Sequence, residues 1–201
     1  MHTPQQRLPA RNASRLKELL TSYAYAILIL LPVSAPAFSN SEAFKNTEYR
    51  IKAAFLYNFS RFVQWPSATS EQTGDFTLCI LGHDPFGKAL DSLAGKLVHG
   101  KALSIRRLDN LALIDSCQLV FIGHNISTNL GNILSQLGEY PVLTVSDIDE
   151  FTDHGGIIQF RLVDNKVRFN INIDAAERAR LNISSKLLSL SSSTQRSREG
   201  H

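Results

Sequence analysis

Two short segments carry residue types from which a reactive or ligand-binding site could be built: Gly82-His83-Asp84 and Gly123-His124-Asn125. Each closes an apolar run, 76–82 and 117–123, of the kind that forms a strand buried on both faces. If those strands are neighbours in a parallel sheet, two imidazoles, a carboxylate and an amide converge on one crevice beyond the strand ends. Such a set can act as a general-base pair, a weak metal site or a ligand pocket. A plainer reading stays open. Asp84 precedes Pro85 and fits a helix N-cap, the glycines turn the chain, and the histidines are exposed loop residues.

Other reactive signatures are missing. Neither GxGxxG nor GxxxxGK[ST] occurs, and residues 82–88 (GHDPFGK) are only a faint echo of a phosphate loop. There is no GxSxG elbow and no HExxH. The acidic residues Asp147, Asp149, Glu150 and Asp153 lie in or beside a short predicted helix, 147–152, and read as a solvated face. No CxxC or Cys/His cluster supports a redox motif or a structural zinc site. The expectation is a binding protein: no enzyme, no cofactor and no catalytic or metal-ligating residue.

The strongest local signal is 49–66, YRIKAAFLYNFSRFVQWP. Ile51, Phe55, Phe59 and Phe62 follow an i, i+4, i+8, i+11 course flanked by Leu56 and Val63, which predicts an amphipathic helix. Tyr57 and Trp65 add to its aromatic content, and Pro66 ends it. So aromatic a helix must bury itself against a sheet or a partner chain. Tyr57, Arg61 and Trp65 are its candidate partner contacts. Arg161 and Arg168, with Lys166, fall on a predicted hairpin. They form either a second partner-facing patch or charges that blunt a sheet edge.

Residues 1–37 read as a cleaved secretory signal. Arg7, Arg11, Arg15 and Lys17 form a basic start, 24–33 (AYAILILLPV) a short apolar stretch, and Ala35-Pro36-Ala37 a small-residue cleavage site. An uncleaved membrane anchor is the alternative, although a span needs about 20 apolar residues. The whole chain has 21 Lys+Arg against 18 Asp+Glu, net +3. Removing those four basic residues together with Glu18 leaves the two signs equal, so the mature chain offers no basic face for nucleic acid. Cys79 and Cys117 are the two cysteines. An even count in a secreted chain points to a disulfide, and closing a loop of roughly 40 positions is worth roughly 3–4 kcal/mol. Two separate buried thiols are the alternative.

The remaining elements alternate. Strands are predicted at 76–82, 103–108, 117–123 and 141–145, with helices at 86–93, 127–137 and 147–152. Gly138 is the expected C-cap of the second of these. Strands at 156–162 and 166–171 form an antiparallel hairpin around Val163-Asp164-Asn165, and helices follow at 174–180 and 184–190. The expected fold is α/β, a three-layer sandwich with a mostly parallel sheet and a C-terminal antiparallel hairpin. The division is a signal peptide (1–37), an N-terminal linker (38–47), a single domain (48–190) and a disordered polar tail (191–201).

Four segments together, 51–66 (IKAAFLYNFSRFVQWP), 143–151 (LTVSDIDEF), 155–172 (GGIIQFRLVDNKVRFNIN) and 181–190 (LNISSKLLSL), resemble the YfiR-like family of periplasmic proteins. The resemblance implies a periplasmic repressor that binds the periplasmic part of an inner-membrane diguanylate cyclase or other sensor enzyme. That action would lower cyclic di-GMP and biofilm formation. It also implies an outer-membrane partner that sequesters the repressor, and a homo-oligomer. Cys79 and Cys117 fall where a family disulfide is expected. No cysteine stands at 146–156, where some members carry a second pair. The alternative function is a periplasmic small-molecule sensor with its ligand at His83, Asp84, His124 and Asn125.

Overall fold

The computed structural model describes residues 40–67, 74–138 and 140–195. The expected signal segment lies outside the described residues, as do the first two residues of the linker and 196–201 of the tail. The first element is helix α1, Asn40–Phe62. It starts nine residues before the predicted Tyr49, because the polar stretch ahead of Tyr49 continues the helix into solvent. Its buried face is Lys52, Ala53, Leu56, Phe59, Ser60 and, just beyond, Val63. That face is turned by about one residue from the predicted stripe. Ile51 is 43% exposed, and Lys52 takes the inward place because two carboxylates meet its ammonium there. Phe55 and Phe59 pack on Phe160 and Phe169, with ring centroids 5.0 to 6.1 Å apart.

Strand β1, Val63–Gln64, pairs with β9, Asn182–Ile183, in a two-stranded ribbon. The main sheet has eight strands. They are β2 (Phe76–Leu81), β3 (Leu97–Val98), β4 (Lys101–Leu108), β5 (Leu119–Ile122), β6 (Leu143–Ser146), β7 (Ile158–Val163), β8 (Lys166–Asn172) and β10 (Ser193–Gln195). Their order across the sheet is β10-β8-β7-β6-β5-β2-β4-β3. The run β4, β2, β5, β6, β7 is parallel, whereas β3 against β4 and β8 against β7 are antiparallel.

Every residue of β2, β5 and β6 is buried, as a strand covered on both faces requires. The period of two divides them. Leu78, Ile80, Leu119, Phe121, Leu143 and Val145 share an apolar layer with α1, with α2 (Lys88–Asp91), with α4 (Ile173–Arg178) and with α5 (Ser185–Leu190). Cys79, Leu81, Val120 and Ile122 share the opposite layer with α3 (Leu130–Leu137). The architecture is the expected three-layer α/β sandwich with a mixed, mostly parallel sheet.

Local differences have local causes. The predicted helix 86–93 shrinks to α2, because Gly87 stands at φ 50 immediately before it. Residues 127–137 divide into a 3-10 turn, His124–Asn129, and α3. Gly138 keeps a right-handed conformation instead of the left-handed cap. No helix forms at 147–152; turns replace it, with Glu150 at φ 56. Cys117 precedes β5 and closes a 3-10 turn, Ile114–Ser116. The hairpin turns on Asp164 and Asn165, both left-handed at φ 50 and 57, the geometry a two-residue primed turn demands. That hairpin is not the sheet edge along its whole length. Ser193–Gln195, within the polar tail, pair with Asn170, Ile171 and Asn172 as β10.

Candidate functional site

The chain leaves β2, lays β4 on one side, then returns to lay β5 on the other. Strand order therefore reverses between β2 and β5, and a crevice opens at their carboxyl ends. The two glycine turns there fit closely. A Cβ on Gly82 would stand 2.6 Å from Asn125 Oδ1, and one on Gly123 would stand 2.7 Å from the His83 carbonyl. The His83 backbone N–H donates to Asn125 Oδ1 over 2.8 Å, which fastens one turn to the other.

His83, Asp84 and His124 line this crevice, a cavity of about 480 Å³. Asn125 does not; with His83 it lines a neighbouring hollow. Asp84 is held by the protein itself. Oδ1 accepts the Phe86 and Gly87 N–H groups over 2.7 and 3.3 Å, and Oδ2 meets Arg107 at 2.6 Å. Hydrogen bonds to Asp91 and Asp84 raise the Arg107 guanidinium above its ordinary value. Asp84 and Asn125 thus shape the two turns, while the imidazoles of His83 and His124 are exposed.

The inner wall comes from residues that pattern reading left out. Asp147, assigned from sequence to a solvated acidic face, follows β6 with its side chain only 7% exposed. The reason is pairing: Lys52 Nζ approaches its Oδ2 to 2.6 Å, and the Tyr49 hydroxyl donates to the same oxygen over 3.0 Å. Lys52 also meets Glu48 at 2.5 Å. Burial, then the charge and hydrogen bond of Asp147, then the charge of Glu48, raise the Tyr49 phenol well above its ordinary range. Phe121 completes the wall, packed edge-on against Phe86 at 4.7 Å, and Phe86 meets Tyr49 at 5.4 Å. His124 Nε2 stands 3.2 Å from Asp147 Oδ1, but off the hydrogen-bonding direction, so that buried oxygen accepts no hydrogen bond.

A His–Asp pair of this kind can position a base. No serine, threonine or cysteine is among the residues that line the crevice. Among the described residues, no group of three or more His, Cys, Asp or Glu side chains is arranged to hold a metal ion.

The other candidate contacts fall elsewhere. Tyr57 is half-buried, donates to the Leu97 carbonyl over 3.1 Å and lies under the Arg61 and Lys96 cations. Trp65 packs edge-on against Phe76 at 5.0 Å and donates to the Gln118 carbonyl over 3.1 Å. Arg61 is exposed. Arg161 and Arg168 sit directly opposite each other on β7 and β8, both exposed. They alternate with Phe160 and Phe169, which meet α1, so the arginines occupy the sheet face away from that helix. Cys79 and Cys117 are joined in a disulfide, with Cα atoms 6.0 Å apart, inside the layer shared with α3.

A family model described as YfiR/HmsC-like matches residues 49–192, from the middle of α1 to just past α5. The chain belongs to the YfiR/HmsC-like family. This family is one of periplasmic regulators of diguanylate cyclases, regulatory in kind and not catalytic. No curated protein is significantly similar to the chain. Among solved structures, a conserved domain protein from Vibrio cholerae O1 biovar El Tor is similar, with TM-score 0.48 and 11% identity. The match covers 59% of this chain and 54% of that one, so the chain spans about half the length of that structure. Among the described residues of this YfiR/HmsC-like chain, no helix is long and apolar enough to cross a membrane.

Proposed function

We propose that this protein is a periplasmic regulator that holds an inner-membrane diguanylate cyclase inactive by binding its periplasmic part. The observation that carries the reading is the YfiR/HmsC-like match across residues 49–192. A repressor of this kind acts by population shift. It must bind the inactive state of its target more tightly than the active one, since equal affinity for both moves nothing. The exposed Arg61 and the paired Arg161 and Arg168 are the surface we assign to the cyclase, with Tyr57 and Trp65 supporting it from partly buried positions. Sequestration by an outer-membrane partner and self-association complete the proposal.

The test is capture of solubilised inner-membrane proteins by the oxidised protein, with cyclic di-GMP measured in cells with and without the gene. Capture of a diguanylate cyclase, and higher cyclic di-GMP without the gene, are expected. Failure to capture any cyclase, with cyclic di-GMP unchanged, rejects the reading.

A second reading, a small-molecule sensor, draws on one observation: a crevice at the strand-order reversal whose wall holds a buried carboxylate oxygen with no hydrogen-bond donor. It is compatible with the first, because Tyr49 and Lys52 tie that wall to α1.

A further inference from the structure

If the crevice is a ligand site, its charge balance decides what it takes. At the inner wall one buried ammonium, Lys52 (4% exposed), faces two carboxylates, Asp147 (7%) and Glu48 (15%). Among these three groups one carboxylate charge is left over; it faces the His124 imidazole, and Lys45 and Glu42 belong to the same lining. The bonding is just as lopsided. Asp147 Oδ2 has both Lys52 and the Tyr49 hydroxyl, whereas Oδ1 is buried and accepts no hydrogen bond. Buried polar atoms are nearly always satisfied, and an orphaned carboxylate oxygen costs more than a neutral one.

What covers Oδ1 is the His124 ring. Its Nε2 lies 3.2 Å away, the side chain is 62% exposed, and no hydrogen bond holds the ring among the described residues. His124 can therefore swing aside and uncover the oxygen. Tyr49 and Phe121 line the cavity around that point, and the Tyr49 ring already carries the Lys52 ammonium at 4.4 Å from its centroid. An ammonium group answers the unmet oxygen, on the opposite side of the carboxylate from Lys52. It supplies the missing charge, donates to Oδ1, and is small enough to sit where the imidazole now rests.

We propose that the crevice binds a small ligand through a primary ammonium group, which replaces His124 at Asp147 Oδ1. This rests on the sensor reading of the crevice and adds the chemical class of its ligand. The remainder of the ligand lies toward Lys45, Asn46 and His83 at the mouth.

The test uses the folded, disulfide-bonded protein and three probes of one size: butylammonium chloride, sodium butyrate and butanol. Binding is followed through amide resonances in 1H–15N spectra. Saturable shifts at Tyr49, Phe121, His124 and Asp147 with butylammonium, and none with butyrate, are expected. Asp147→Asn weakens that binding about tenfold or more, the worth of a hydrogen bond to a charged group. Should Asp147→Asn fail to fold, His124→Ala serves, because it changes an exposed ring; removing the competing imidazole tightens butylammonium binding. Weaker or unchanged butylammonium binding in His124→Ala overturns the proposal. Crevice shifts with butyrate or butanol but not with butylammonium overturn the ammonium class and leave the sensor reading standing. Silence at the crevice with all three probes overturns both.

Discussion

At the scale of single residues, Asp147, Lys52 and Tyr49 behave as one unit, and removing any one of them exposes the others. Lys52→Met strands Asp147 and Glu48 in a buried setting without their cation. The cost expected is about 3 kcal/mol, the lower end of what breaking a buried pair costs. Urea unfolding measures it, and a loss below about 1 kcal/mol, the size of an exposed pair, contradicts the buried geometry. Tyr49 adds a pH dependence whose sign follows from its raised phenol. The folded state prefers the protonated form. That contribution is complete below about pH 10, the unfolded tyrosine value, and is lost as the pH rises through the raised folded value. Absorbance at 295 nm should show one tyrosine titrating after the rest, and Tyr49→Phe should remove that late step; an unchanged profile rejects the assignment. His83 and His124 were legible in the sequence because each follows an apolar run that ends in glycine. Asp147 and Lys52 were not. Hydropathy patterns place Lys and Asp outside, and the partner that draws each inward is 95 positions away.

At the scale of elements, the disulfide joins β2 to the turn before β5, the two strands between which the order reverses. Cys79→Ala with Cys117→Ala is expected to lower stability by about 3–4 kcal/mol, most of it through the unfolded chain. Guanidinium unfolding of the variant against the oxidised protein checks this, and equal midpoints would contradict it. The strands β2, β5 and β6 could be read from sequence because burial on both faces leaves an unbroken apolar run. Helix ends could not. Gly87 and Glu150 adopt left-handed backbone that ends or prevents helix, and only the three-dimensional path of the loop demands it. The edge strands β3 and β10, two and three residues long, are too short for any period to register.

At the scale of the whole molecule, the sheet separates the assigned partner residues. Tyr57 belongs to the face that carries α1, and Arg161 with Arg168 to the other. Under the proposed assignment, one cyclase domain would wrap the hairpin or two copies of this chain would share it. The double variant Arg161→Glu, Arg168→Glu changes only exposed side chains and should leave the unfolding free energy within about 0.5 kcal/mol. It should also abolish cyclase capture; retained capture would move the interface to the α1 face alone. Layering and strand direction followed from alternating strand and helix signals, whereas which faces are free depends on packing that no single segment encodes. The bridge between Cys79 and Cys117 has one more consequence, for maturation. With two cysteines in the chain, a single intramolecular pairing exists, so scrambled isomers of the monomer cannot form. Closing the bridge needs an oxidant but no reshuffling of wrong intramolecular pairs.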